Sequence, residues 1–299
     1  MSPAIQGALE SWSFPVVPTV ALVLSGFLYL RGWIHLRSVS VSTISSWRAG
    51  SFLLGLFLVW VAVGSPLAAF DEELLTVHMT QHLLLMTFGP ALILLGAPFI
   101  PFLHGLPRQF LRSVLGPLFR WPLTRQGWRA MSQPVVCWLA AAAALVGWHV
   151  PSMFTLALRS EAWHVAEHAC FLGSGLLFWW PVIQPWPSVA RWSRWCVLLY
   201  LFLATVPCDI LSGYLVFCDR VVYDAYLLTP KHIGISALDD QQCAGALMWT
   251  CVTIVYLIAA VVIAMRLLSA GSSQRIELTQ PKSARTIAAQ STEQSIQVG

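Results

Sequence analysis

Apolar residues dominate seven separate stretches of this chain, and polar connections divide each stretch from the next. Most of the stretches approach the roughly 20 residues that a helix needs to cross the hydrocarbon core of a bilayer. The pattern therefore predicts an all-α fold, a polytopic membrane helix bundle of about seven transmembrane helices. The predicted segments are residues 15–30, 50–68, 78–103, 133–150, 163–183, 194–217 and 241–268.

Two regions of different character follow from this pattern. Residues 1–268 are predicted to form the transmembrane bundle as one domain. Residues 269–299 are rich in Ser, Thr, Gln and charge, a composition that cannot bury enough apolar surface to fold. We therefore expect a disordered tail there.

The composition supports the membrane interpretation and limits the class of partners. Hydrophobic residues make up 57% of the chain, charged residues 10%, and the mean hydropathy is +0.70. A soluble domain typically carries about 25% charged residues, so we expect the lipid bilayer as the surroundings of this chain. The formal net charge of +4 does not indicate a nucleic-acid partner, because its meaning depends on where the charges fall.

The basic residues fall almost entirely on one side of the predicted bundle. Fourteen of the 17 Lys and Arg lie in the first, third and fifth connections and at the C-terminal end. Only Arg159, Arg220 and Lys231 lie on the other side. Because cytoplasmic loops carry the excess of Lys and Arg, the N-terminus is predicted to be outside and the C-terminal tail cytoplasmic.

Histidines collect near the outer ends of three predicted helices. His78 and His82 open the third segment, His149 closes the fourth, and His164 and His168 open the fifth. Each H-x-x-x-H pair lies on one face of its helix, since residues four apart are separated by about 6 Å along the axis. Ionisable side chains at membrane depth are costly, which makes this set a candidate site.

Imidazole suits copper and zinc, so these histidines predict a metal centre near the outer face. His78, His82, His164 and His168 would supply the core ligands, with His149 as a nearby fifth. Hydrogen bonding between helices is the competing interpretation for any single histidine. Further polar residues at the same level are predicted to support the ligands: Gln81, Glu167, Asp209, Asp240 and Gln241.

Four stretches together resemble the CtaG family of cytochrome c oxidase assembly factors, which are polytopic proteins of bacterial membranes. The stretches read HMTQHLLLMTFGPALILLGAP from His78, WHVPSMFTLAL from Trp148, HVAEHACFLGSGLLFWWPV from His164 and DQQCAGALMW from Asp240. They contain the five histidines and, among the supporting residues, all but Asp209. The last stretch has Cys243 and Ala246 where larger aliphatic residues are expected.

The resemblance implies a membrane-embedded factor for the assembly of cytochrome c oxidase that binds or delivers copper near the outer face. Its implied partners are subunits of the oxidase and other copper chaperones, and its implied location is the bacterial cytoplasmic (inner) membrane, as a multi-pass protein. The sequence contains no nucleophile–base pair and no nucleotide-binding loop, so no enzymatic turnover is expected.

Three other functions remain open from the sequence. In a b-type haem protein, His82 and His168 would be axial ligands from two helices. In a proton or ion transporter, Asp209, Glu167 and the histidines would form a relay, although the polar groups stop in the outer half of the bundle. In a purely structural scaffold, substitution of the histidines would leave function intact.

Reporter fusions test the predicted orientation. A fusion after Ser269 is expected to report from the cytoplasm, and a fusion within residues 71–73 from outside, because of the asymmetry of Lys and Arg. Fluorescence of a cytoplasmic reporter and activity of an exported phosphatase reporter distinguish the two sides. An outside signal from the Ser269 fusion would contradict the orientation.

Overall fold

The computed structural model describes residues 15–39, 45–65, 67–184, 192–228 and 234–279. Every element within these ranges is helical, which confirms the all-α prediction. The chain divides into two compact units, Met1–Tyr256 and Leu257–Gly299, and the features discussed below lie in the first unit. In chain order, the helical segments are Val16–Val39, Ser46–Gly64, Leu67–Phe70, Leu75–Leu83, Leu84–Phe88 (π), Gly89–Leu95, Phe99–Gly105, Arg108–Phe110, Leu111–Leu115 (π), Gly116–Arg120, Pro122–Met131, Pro134–Trp148, Pro151–Arg159, Glu161–Ile183, Arg194–Phe217, Ala225–Leu228 and Ala237–Thr279.

The described helices support a membrane bundle. Five single helices are long and apolar enough to cross a membrane. The segments Pro122–Met131 and Pro134–Trp148 are long and apolar enough only when they are taken together, and a bend of 69° separates them. The described residues thus contain five candidate spans, or six if the bent pair counts as one span. The count of seven and the orientation stay predictions. The five single spans are Val16–Ser38, Ser46–Gly64, Leu75–Leu95, Arg194–Phe217 and Ala237–Ser269.

One predicted span is long enough to cross the membrane but is not among the candidates. Glu161–Ile183 has 23 residues, which exceeds the roughly 20 that a span needs. Its first half carries His164, Glu167 and His168, which lower its mean hydropathy. The polar residues that make this helix a candidate for function therefore also weaken its signal as a membrane span.

The last helix extends beyond the predicted end of the bundle. It runs from Ala237 to Thr279, whereas the predicted tail begins at residue 269. Residues 280–299, the remainder of that tail, lie outside the described residues.

Each H-x-x-x-H pair lies on its own helix. We name these helices the first histidine helix (Leu75–Leu95) and the second histidine helix (Glu161–Ile183). The first contains a π turn in which the Gly89 N–H donates to the carbonyl of Leu84, five residues back. Pro90 follows directly and has no N–H to donate to the preceding turn. The π turn begins at Leu84, directly after the turn that carries His82, and therefore adjoins the candidate site.

Close backbone contact joins the two histidine helices. A Cβ atom on Gly175 would lie 2.5 Å from the carbonyl oxygen of Met86 and 2.8 Å from the ring of Pro90. Small residues allow helices to approach in this way within a membrane. This contact fixes the rotation of the second histidine helix against the π turn of the first.

An apolar core lies beneath the polar ends of these helices. Val59, Ala62, Leu85 and Phe171 pack together as one buried cluster, and the ring of Phe171 lies 4.2 Å from that of His82, centroid to centroid. The candidate site thus adjoins packed apolar side chains.

The glycine contact yields a stability prediction. We expect Gly175→Ala to destabilise the protein by about 1–3 kcal/mol, because the added methyl group forces the helices apart. Gly173→Ala on the same helix is the matched control, since no atom lies within 4 Å of its added Cβ. That control should be neutral or more stable, because Ala favours a helix over Gly by about 1 kcal/mol.

Thermal unfolding of both variants in detergent, followed by circular dichroism, measures this difference. An equal melting temperature for the two variants would contradict the close contact.

Candidate metal centre

The first histidine pair is fully enclosed by the bundle. His78 and His82 are 0% and 5% exposed, and their ring centroids lie 4.4 Å apart. The α-helical geometry of Leu75–Leu83 places both rings on the same side of the first histidine helix, as their spacing predicts. Two imidazoles therefore point into one buried space.

Glu167 of the second histidine helix lies against both of these rings. Its Oε2 is 3.8 Å from His78 Nε2 and its Oε1 is 3.5 Å from His82 Nε2, and the carboxylate is 0% exposed. Both distances exceed the usual 2.7–3.2 Å of an N–H···O hydrogen bond. Ligand atoms from the three residues nevertheless all lie within 4.8 Å of one another, close enough to share one cation.

A second group of ligand atoms overlaps the first. Asp71, His78 and His164 also bring their ligand atoms within 4.8 Å of one another, and His164 Nε2 lies 3.6 Å from Asp71 Oδ2. His78 belongs to both groups. Burial raises the pKa of the Asp71 carboxyl above its ordinary value, and the neighbouring His78 and His164 oppose that shift.

His149 approaches the first group from the fourth predicted segment. Its Nδ1 lies 2.7 Å from the carbonyl oxygen of Leu145, so Nδ1 carries the proton and donates. Its Nε2 lies 3.2 Å from the sulfur of Met79, and its ring is 5.8 Å from that of His82. A thioether and an imidazole, the donor pair suited to Cu(I), thus stand side by side.

His168 completes the histidine set. Its ring lies 4.2 Å from that of His164 and 6.1 Å from that of His82. The structure therefore brings together all five histidines singled out from the sequence, and we call them, with Glu167 and Asp71, the histidine cluster.

The histidine cluster concentrates buried polar atoms that make no hydrogen bond. Among the described residues, such atoms belong to this cluster or to the adjoining Gln81, apart from three tryptophan indole nitrogens. Buried polar groups in proteins are nearly always paired, and leaving them unpaired costs free energy. This concentration is typical of residues arranged for a ligand. The cluster atoms are Asp71 Oδ2, His78 Nδ1 and Nε2, His82 Nδ1 and Nε2, His164 Nε2, Glu167 Oε1 and Oε2, and His168 Nε2.

Two of the predicted supporting residues act on the backbone around the site. The Asp240 carboxylate accepts hydrogen bonds from the N–H groups of Leu75 and Thr76, at 2.8 and 3.1 Å, and so caps the start of the first histidine helix. Gln81 Nε2 donates to the carbonyl of Ala62 at 3.0 Å, which ties the same helix to its neighbour.

Gln241 holds the segment that covers the site. Its Oε1 accepts from the N–H of Val222 at 2.7 Å, and its Nε2 donates to the carbonyls of Arg220 and Leu215. Gln241 therefore fixes the connection that follows Arg194–Phe217. It helps to position the site although no described contact joins it to a histidine ring.

Asp209 is not brought into the cluster. Its side chain is half-buried, and no hydrogen bond or ion pair among the described residues joins it to the five histidines. The predicted supporting role of Asp209 therefore has no described contact behind it and stays a prediction.

Three aromatic residues cover the cluster, and sequence reasoning missed them together with Asp71. Tyr226 donates its hydroxyl to the carbonyl of Asp71 at 2.7 Å, and Tyr223 donates to the carbonyl of His149 at 3.1 Å. Phe154 packs between the rings of His78 and Tyr223, at 4.9 and 4.1 Å. The available signal for Asp71 was its place in an acidic stretch directly before the first histidine helix.

A small cavity of about 40 Å³ adjoins the cluster on the core side. His82 and His149 line one part of it, and Met86, Cys208 and Met248 line another. This volume has room for a few water molecules.

Known proteins place the chain in a family. The profile described as cytochrome c oxidase caa3 assembly factor matches residues 27–270. A Mycobacterium bovis protein, named only as uncharacterized, is 24% identical over 263 residues, which cover 83% of this chain and 38% of that protein. A Mycobacterium leprae protein, also named uncharacterized, is 21% identical over 246 residues, covering 80% of this chain and 37% of its own length.

This chain thus spans less than two-fifths of the curated relatives that it matches. No solved structure matches it. The family profile covers most of the chain, including every residue of the histidine cluster. The chain therefore belongs to the family of cytochrome c oxidase caa3 assembly factors.

Proposed function

We propose that this protein holds a copper ion as cargo in the histidine cluster and supplies it to cytochrome c oxidase during assembly. The observation that carries the proposal is the set of buried nitrogen and oxygen atoms that converge without hydrogen-bonding one another. A cation bound there would compensate for their removal from water. The partners would be oxidase subunits, and the location the bacterial cytoplasmic membrane with the cluster near its outer face.

The donor set favours a transition metal over a hard cation. His78, His82 and Glu167 offer two imidazoles and one carboxylate, which suit Cu(II) and Zn(II). The adjacent Met79 and His149 offer a softer pair for Cu(I). Copper is the proposed cargo because the family assembles a haem–copper oxidase.

The two overlapping groups suggest how the cargo would leave. The His78, His82 and Glu167 group is at most 5% exposed, whereas the side chain of His164 in the other group is 25% exposed. His78 is common to both groups and would stay bound while its neighbours exchange. Ligand exchange through His78 would carry the ion from the enclosed group towards Asp71 and His164, where a partner can reach it.

The size of the adjoining cavity favours a bare ion over a haem. Pockets that enclose organic ligands usually measure about 300–1,000 Å³. The cavity beside His82 and His149 measures about 40 Å³. The packing thus supports metal cargo and gives no comparable support to the b-type haem alternative.

Conservative substitution of the central carboxylate tests the proposal. We expect Glu167→Gln to lower copper affinity at least tenfold, because it removes a candidate ligand charge while preserving the shape of the side chain. Even changes to groups behind a ligand typically cost about 10–100-fold in metal affinity. The measurements are copper per purified protein by elemental analysis and oxidase activity in cells with equal levels of the factor.

Asp209→Asn provides the matched control, since it makes the same chemical change at a carboxylate outside the cluster. Copper content and oxidase activity should both stay at the wild-type level in that variant. Full copper content and full oxidase activity in Glu167→Gln and in His82→Ala would overturn the proposal. Zinc in place of copper in the purified protein would overturn the choice of metal.

A further inference from the structure

A second and larger pocket lies between the last turns of the helix Val16–Val39 and residues 103–119. It measures about 490 Å³, which is within the range of pockets that hold organic ligands. His35, His104 and Arg108 line it together with leucines and a phenylalanine. Its position corresponds to the predicted cytoplasmic face.

The charge around this pocket is of one sign. Residues 31–48 and 98–131 contain eight arginines and no Asp or Glu. No carboxylate among the described residues forms an ion pair with Arg108. A pocket in this field attracts anions and repels cations, so its two histidines are poorly placed for a second metal ion.

The pocket also has basic side chains with hydrogen-bonding groups. His104 Nδ1 lies 2.9 Å from the carbonyl oxygen of Ile100 and donates to it, which leaves Nε2 for another partner. The His104 ring lies 6.2 Å from that of His35. With the Arg108 guanidinium, these groups can contact the oxygens of one phosphate.

Much of the remaining lining is apolar. Leu111, Leu115 and Phe119 recur every fourth residue along the helical stretch that begins at Arg108, and all three line the pocket. Phe119 is 59% exposed. A free phosphate would gain nothing from such a wall, whereas the glycerol and upper acyl chains of a lipid would bury it.

We infer that this pocket binds an anionic phospholipid, with its phosphate at Arg108, His104 and His35 and its acyl chains along Leu111, Leu115 and Phe119. Basic pockets between helices at the cytoplasmic side are known to hold such headgroups. The inference is independent of the copper proposal, because the two sites share no residue.

Lipid binding to the full-length protein tests this inference. The protein is purified in detergent, mixed with phosphatidylglycerol or phosphatidylcholine, and examined by native mass spectrometry. We expect the wild type to prefer phosphatidylglycerol and Arg108→Gln to bind it about fivefold less, the effect of about one basic residue near an anionic lipid surface. Arg108→Lys keeps the charge and should retain most of the preference.

Arg125→Gln is the matched control, because Arg125 lies in the same basic region but does not line the pocket. It should bind phosphatidylglycerol as the wild type does. Equal loss in Arg125→Gln and Arg108→Gln would show unspecific surface attraction and overturn the inference. Displacement of the lipid by millimolar inorganic phosphate would also overturn it, since the pocket would then recognise phosphate alone.

Discussion

Burial of the Glu167 and Asp71 carboxylates beside three enclosed imidazoles, inside a bundle of apolar helices, is the constraint on which the rest of this structure depends. An isolated buried carboxylate is very costly, and Glu167 is completely enclosed. The surrounding imidazoles offset part of that cost, and the cation proposed above would offset more of it. The helices must therefore hold the Glu167 carboxylate within 3.5–3.8 Å of the His78 and His82 rings.

Contacts from distant parts of the chain maintain those distances. Asp240, near the start of the helix that begins at Ala237, caps the first histidine helix, and Gln81 ties the first histidine helix to the carbonyl of Ala62. Tyr223 and Tyr226 fasten the cover to the backbone at His149 and Asp71. Each contact satisfies a polar group that the bilayer could not satisfy, so the residues that stabilise the fold and those that position the site are the same.

The sequence carries the depth of each polar residue but not its direction around the helix axis. For four of the five histidines the H-x-x-x-H spacing fixes a common face by itself, and the position of His149 at the end of its predicted segment was enough to add it to them. For the other polar residues, the direction of the side chain around the helix axis decides whether it reaches the histidine cluster. Glu167 turns towards His78 and His82 because Gly175 fixes the rotation of its helix, whereas no described contact joins Asp209 to them. Asp71 lies in a connection whose path depends on Tyr226, a contact without a local sequence pattern.

The π turn at Leu84–Phe88 has a consequence for how the chain can vary in length. A π turn holds one residue more than an α turn. The extra residue in Leu84–Phe88 therefore rotates the second half of the first histidine helix about the helix axis, relative to its place in a regular α-helix. Deleting one residue there would restore a regular helix and rotate His78 and His82 by about 100° relative to the half that packs on Gly55 and Gly175. The imidazoles would then face lipid or a neighbouring helix instead of Glu167. Insertions and deletions are thus far more damaging in this segment than in the connecting loops, although its residues are ordinary membrane residues.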